Sequence, residues 1–130
     1  MLLAMSGKEL RTVLFVDDDP QHLKLYQWVI ERGPFTVLPL LVGNTLLELP
    51  EQRPDIVALD YRLKGPFSAV DIAKQLHTKY QRIPIIVLSE LEWIPEDITP
   101  YSVAFVHKGE PQLLLKTLAR FSGISPTPAD

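Results

Sequence analysis

Five short runs rich in Val, Ile and Leu recur along the chain: Thr12–Val16, Thr36–Leu40, Ile56–Leu59, Ile85–Leu88 and Val103–Val106. Each stops at polar residues or at Gly/Pro, the punctuation expected of strands. The first, third and fourth are almost continuously apolar. Strands read that way when both faces of their sheet are covered, as in a parallel sheet flanked by helices.

Between the runs the apolar period lengthens to that of a helix. After Asp19-Pro20 the segment to Arg32 places Leu25, Tyr26, Val29 and Ile30 on one stripe, with Pro20 as a start signal and Gly33-Pro34 as a stop. Ser68 is a candidate N-cap for a helix carrying Val70, Ala73 and Leu76 on one face and ending near Tyr80. Glu110-Pro111 opens a last helix with Leu114, Leu115, Leu118 and Phe121 inward, closed by Gly123. Two crossovers are weak. Asn44–Leu49 is too short before Pro50, and Glu90–Tyr101 contains Pro95 and Pro100, which oppose a regular helix. The pattern predicts a doubly wound α/β fold of right-handed βαβ units with a short or irregular fourth helix. One domain is expected over residues 1–124, with 125–130 as a disordered tail or the start of a linker.

Composition narrows the chemistry. The 130 residues are 46% hydrophobic and 22% charged, as in an ordinary globular domain, and a net charge of −3 gives no electrostatic footprint for nucleic acid. No apolar run is long enough to span a bilayer, and Met1–Met5 lacks the basic flank of a signal peptide. With no cysteine, disulfides and thiolate chemistry are excluded. A cytoplasmic location is expected.

In open parallel sheets chemistry gathers beyond the carboxyl ends of the strands. There the first run is followed by Asp17, Asp18 and Asp19, the third by Asp60, the fourth by Ser89 and the fifth by His107-Lys108. Clustered carboxylates cannot all stay ionised without a cation between them, and a hard oxygen-seeking ion, Mg²⁺, resolves the repulsion. A carboxylate then serves as nucleophile to form an aspartyl phosphate, with Ser89 and Lys108 gripping the phosphoryl oxygens. Blander roles exist for each residue. One of Asp17–Asp19 could simply cap a helix, Asp60 could be a turn residue, and Ser89 and Lys108 could be loop polars. Three adjacent acids exceed what a cap uses, however, and Asp60 stands behind a wholly apolar strand. His22, His77 and His107 are isolated in sequence, and none reads as a ligand; Trp28 and Trp93 read as packing or surface aromatics.

Four segments together resemble the response-regulator receiver domain of two-component signalling, of the CheY-like superfamily. Val13–Pro20 resembles that family's first strand and acid pair, and Pro54–Leu63 the segment around its phosphoacceptor. Ile83–Ser89 resembles the strand ending in its Ser/Thr, and Ala104–Lys108 the strand carrying its lysine. The resemblance implies a flavodoxin-like sheet in the order 2-1-3-4-5. It implies Mg²⁺ at Asp17, Asp18, Asp60 and the main-chain carbonyl of Arg62. It also implies phosphorylation of Asp60, with Ser89 and Lys108 on the phosphoryl group and Phe105 as an aromatic rotamer switch. By the same resemblance the domain is not an enzyme. It accepts a phosphoryl group from a sensor histidine kinase, a phosphotransfer protein or a small donor, and can autodephosphorylate. It then changes its binding of a downstream protein, with no direct nucleic acid or membrane contact and with homodimers conceivable.

The pattern departs from the family at four places. Gly109 stands where a cis proline usually follows the lysine, so Lys108 is expected to be less firmly aimed. Lys64 replaces a common proline. Glu90 replaces a small residue after Ser89 and would repel an incoming phosphodonor. The Pro-broken Glu90–Tyr101 segment implies an atypical output face. Two rival readings exist: a receiver-like interaction module that is not phosphorylated, and a haloacid-dehalogenase-like phosphatase using Asp17. The second leaves Asp60 unexplained and lacks a later acidic pair.

Overall fold

A computed structural model describes residues 10–45 and 47–123. The expected tail at 125–130, the Met1–Met5 opening and Leu46 lie outside the described residues. The strands are β1 (Arg11–Asp17), β2 (Phe35–Leu41), β3 (Ile56–Asp60), β4 (Ile85–Ser89) and β5 (Ala104–His107). The helices are α1 (Pro20–Ile30), α2 (Ala69–Tyr80) and α3 (Pro111–Phe121), with a 3₁₀ turn at Thr99–Tyr101. The strands form one parallel sheet in the order β2-β1-β3-β4-β5. The predicted flavodoxin-like order is therefore present.

Strand alternation divides the apolar runs between two cores. Val13, Phe15, Ile56, Ala58, Ile86, Leu88 and Val106 pack against α1 and α3, meeting Leu23, Ile30, Leu114 and Leu118. Leu14, Val16, Val57, Leu59, Ile85 and Val87 face the other way, onto Ile72, Ala73, Leu76 and Tyr80 of α2. Covering both faces is what removed the polar positions from β1, β3 and β4. The α1 stripe differs from the expectation. Leu23 and Ile30 are buried with Tyr26 packed beside them, whereas Leu25 is 53% exposed. Because α1 begins at Pro20, its inward stripe runs from Leu23 through Tyr26 to Ile30 at helical spacing.

Caps follow the sequence signals. Asp19 caps α1 by accepting the Gln21 N–H, and Ser68 forms a reciprocal capping box with Asp71 at the start of α2. Gly123, at φ +87°, closes α3 in the left-handed conformation.

Among the described residues no helix links β2 to β3, and between β4 and β5 only the 3₁₀ turn forms. The Glu90–Tyr101 segment is nonetheless held in place. Ile98 is fully buried in the α2-side core with Tyr101 packed against it, and Tyr61, just after β3, donates its hydroxyl to Asp97 at 2.9 Å. Pro95 and Pro100 remove backbone donors, so a buried side chain anchors the segment where a helical ladder cannot. Ile98→Ala is expected to lower unfolding free energy by about 3 kcal/mol, from lost burial plus cavity. Urea denaturation would measure it, and a loss below about 1 kcal/mol would mean the segment is not anchored there.

Candidate functional site

The polar residues predicted to follow the strands are their last members. Asp17, Asp60 and Ser89 end β1, β3 and β4, and are 0%, 2% and 1% exposed. Ladder bonding continues one step past each strand and holds these ends rigidly. Val42 N–H donates to the Asp17 carbonyl at 2.9 Å, Tyr61 N–H to the Leu88 carbonyl at 2.9 Å, and Lys108 N–H to the Ser89 carbonyl at 2.8 Å.

The three adjacent acids have separate tasks. Asp19 Oδ1 accepts the Gln21 N–H and caps α1, while the residue also borders the cavity over the acids, so capping and site roles meet there. Asp17 Oδ1 accepts the Asp19 N–H at 3.0 Å, which folds the turn back and aims the carboxylate inward. Asp18 Oδ2 accepts the Lys64 N–H at 2.6 Å, tying the β1–α1 turn to the loop after β3. Lys64, where the family often has proline, thus supplies a backbone donor that proline lacks.

Asp60 lies between these acids and Lys108. Its Oδ1 is 3.0 Å from Lys108 Nζ, and the Arg62 N–H donates to the same oxygen at 3.4 Å. Lys108 follows β5, two places across the sheet from β3, so only a long side chain could bridge the gap of about 10 Å between those strands. Burial opposes the ammonium charge. The hydrogen bond and charge of Asp60, with Asp17 behind it, outweigh this and leave the Lys108 pKa raised. Burial, reinforced by the charge of Asp60, pushes the Asp17 carboxyl up to about 6. The carboxylates are thus short of positive charge at neutral pH.

The remaining predicted residues surround this centre at different distances from it. Ser89 Oγ accepts the Leu91 N–H at 3.0 Å and is thereby engaged with the start of the irregular segment. Glu90 lies on the wall of the acidic cavity, and Phe105 is half-buried against the α2-side core. Gly109 adopts φ +92°, a left-handed conformation that suits glycine. Lys108 is nevertheless aimed at Asp60. His107 steadies its loop, with Nδ1 2.8 Å from the Lys108 carbonyl and Nε2 3.1 Å from that of Glu90. The Gly109 backbone also lies beside the hydroxyl of Tyr26, whose ring stacks on Phe15 at 5.0 Å. Side chains therefore replace a cis proline in setting this loop.

A cavity of about 230 Å³ opens over the centre, walled by Asp18, Asp60, Arg62, Lys64, Glu90 and Lys108, together with His22. Asp17, Asp18 and Asp60 each offer one oxygen there within 4.8 Å of the others. Asp17 Oδ2 is buried without a hydrogen-bond partner. An orphaned carboxylate oxygen beside two more hard oxygen donors fits a divalent cation such as Mg²⁺. Sequence reasoning passed over His22. The signal available was its place three residues beyond the cap of a helix whose first turn faces the acids.

A model of the family described as "Response regulator receiver domain" matches residues 13–119. The alkaline phosphatase synthesis transcriptional regulatory protein PhoP of Bacillus subtilis (strain 168) is 29% identical over 80 residues, 61% of this chain and 33% of that protein. The match thus spans about a third of that relative's length. Among solved structures, the receiver domain of a Pseudomonas aeruginosa sensor histidine kinase, with a magnesium ion coordinated in its active site cleft, superposes with TM-score 0.69. That match has 19% identity and covers 87% of this chain and 98% of that one. The response regulator domain of Thermotoga maritima CheB gives TM-score 0.71 at 17% identity, over 90% of this chain and 99% of that one. The chemotaxis protein CheY4 of Vibrio cholerae gives 0.68 at 20%, over 86% and 98%. At these identities the structures establish the shared fold.

The electrostatics carry a pH prediction. The folded value of Asp17, about 6, lies above the ordinary 3.8. The native state therefore binds the extra proton in that window, and this contribution to stability is lost as pH rises through about 6. With divalent cations chelated, stability should increase on acidification from about pH 7 to about pH 4, by up to about 3 kcal/mol from this group. Below that window the opposite loss sets in at Asp19 and Asp71, whose values are lowered. Asp17→Asn should flatten the slope and stabilise the metal-free protein at neutral pH, as read by thermal unfolding. A variant as pH-sensitive as the wild type would refute the assignment.

Proposed function

The chain belongs to the response regulator receiver domain family of two-component signalling, and on that premise we propose that it is a phosphoacceptor switch modified at Asp60. The observation that carries this reading is Asp60 itself. It is a nearly buried carboxylate, paired with Lys108 and grouped with Asp17 and Asp18 under one small cavity.

In the proposed reaction an Asp60 carboxylate oxygen attacks the phosphorus of a phosphohistidine, on a sensor histidine kinase or phosphotransfer protein, or of a small acyl phosphate. The new O–P bond forms as the bond from phosphorus to the donor nitrogen or oxygen breaks, and the donor keeps the electron pair. Asp17, Asp18, Asp60 and the Arg62 main-chain carbonyl would hold Mg²⁺, which when bound supplies positive charge to the phosphoryl oxygens. Lys108, already facing Asp60, shifts its charge to the phosphoryl group once the carboxylate is esterified. Ser89 turns its hydroxyl from the Leu91 amide to a phosphoryl oxygen. Breaking that bond frees the start of the Glu90–Tyr101 segment, and Phe105 repacks on the core it borders. This two-state rearrangement would couple phosphorylation to a downstream protein. The same reading takes residues 1–124 as the receiver module, followed by a tail or linker, in a cytoplasmic protein with no nucleic acid or membrane contact of its own. It leaves room for a homodimer and for autodephosphorylation, with no separate substrate.

Two observations favour a second reading, an interaction module that is not phosphorylated: Glu90 projects its charge at the cavity, and the Ser89 hydroxyl is already engaged. The phosphatase reading needs Asp17 and Asp19 to act together, whereas Asp19 Oδ1 is engaged in the cap of α1 and the buried Asp60 is left without a role.

Incubation with Mg²⁺ and either beryllium fluoride or a small acyl phosphate should give an adduct, seen by fluorine NMR or intact mass, that Asp60→Asn abolishes. Its absence at saturating donor would favour the unphosphorylated module. Glu90→Ala should speed phosphorylation by an anionic small donor by about tenfold at low salt, with the gain shrinking as salt rises. An unchanged rate would show that Glu90 does not gate the cavity.

A further inference from the structure

Among the described residues, two buried side-chain polar atoms lack a hydrogen-bond partner, Asp17 Oδ2 and His22 Nδ1. They face each other at 3.5 Å. A buried polar atom without a partner is costly, so finding two at one point argues for a partner they share.

The ring orientation indicates what that partner is. His22 stands in the first turn of α1 on the cavity wall, and its other nitrogen, Nε2, faces Asp19 Oδ2 at 3.8 Å. The tautomer with its proton on Nε2, the nitrogen nearer Asp19, has Nδ1 as a bare lone pair beside a carboxylate oxygen. A carboxylate behind the far nitrogen is the usual support of a metal-binding imidazole. Two donors about 2.0–2.1 Å from one ion at a tetrahedral angle lie about 3.4 Å apart, close to the separation here. Mg²⁺ prefers oxygen, whereas imidazole nitrogen suits first-row transition ions.

We propose that His22 is a metal-selecting residue, whose Nδ1 joins Asp17 in binding a borderline divalent cation of the Zn²⁺ and Co²⁺ class, so that the site favours such ions over Mg²⁺ beyond what its carboxylates would give. The inference rests on the reading that Asp17, Asp18 and Asp60 hold a cation. It places a nitrogen donor from α1 at the Asp17 edge of that site, outside the group formed by the three carboxylates.

The test uses the full chain, with Mg²⁺, Zn²⁺ and Co²⁺ titrated calorimetrically and the Co²⁺ visible spectrum recorded. Oxygen-only sites also rank Zn²⁺ above Mg²⁺, so the quantity that decides is the change in the Zn²⁺/Mg²⁺ affinity ratio on removing His22. His22→Ala should lower that ratio by about 10–100-fold, leave Mg²⁺ affinity within about twofold, and shift the Co²⁺ bands. His22→Gln, which keeps a polar side chain in case the alanine variant folds poorly, should do the same, and His77→Ala on α2 should change none of these. An unchanged ratio and spectrum in both His22 variants would overturn the proposal and leave Nδ1 as a simple hydrogen-bond donor to Asp17. Wild type binding Zn²⁺ through His22 but no Mg²⁺ would uphold it while counting against the Mg²⁺-dependent switch. Binding of neither ion would end both.

Discussion

Like charge at the ends of two adjacent strands is the constraint on which this molecule turns. β1 and β3 pair in a register that sets Val16 beside Leu59, so the residue ending each strand, Asp17 or Asp60, is carried to the same edge of the sheet. Both are enclosed by the cores above and below, which removes the water that would otherwise screen them. Nearby structure answers this imbalance. Lys108 reaches across β4, the backbone of Arg62 and Asp19 donates inward, and Asp18 is drawn over by the amide of Lys64. One internal ammonium meets three carboxylates there, an arrangement that fits a divalent cation.

The departures from the usual receiver pattern have physical counterparts that offset one another. Where a cis proline would stiffen the loop after the lysine, the His107 ring sits within hydrogen-bond distance of the Lys108 and Glu90 carbonyls, able to donate its N–H to one of them, and Tyr26 lies beside the Gly109 backbone. Where a fourth helix would pack, Ile98 pins an irregular segment to the α2-side core and Tyr61 links it to the loop after β3 through Asp97. That segment exposes Trp93 (65%) and Ile94 (52%), giving this face a chemistry unlike that of a packed helix. Ser89 connects both halves, since its hydroxyl bonds the amide of Leu91 at the segment's root.

The sheet was legible in the residues because burial on two faces leaves an unmistakable mark. Val13–Val16, Ile56–Leu59 and Ile85–Leu88 contain nothing polar, and the acids and serine closing them fall where a parallel sheet collects its chemistry. Pro95 and Pro100 likewise announced the lost helix, because proline's effect on a helical ladder is local. The α1 stripe was misplaced at Leu25, because helical spacing fixes which residues share a face and leaves the choice of face to the sheet beneath.

Fold class, strand ends and the acids that close those strands were readable along the chain, since each follows from local periodicity and residue order. The separate contacts of Asp17, Asp18 and Asp19, the reach of Lys108 to Asp60 and the place of His22 beside Asp17 emerge with the folded arrangement. Those outcomes depend on distances of a few ångströms between side chains on different elements, and no spacing along the chain encodes such distances. The physical reason is that packing of two cores onto one sheet, rather than any local preference, sets where each side chain ends.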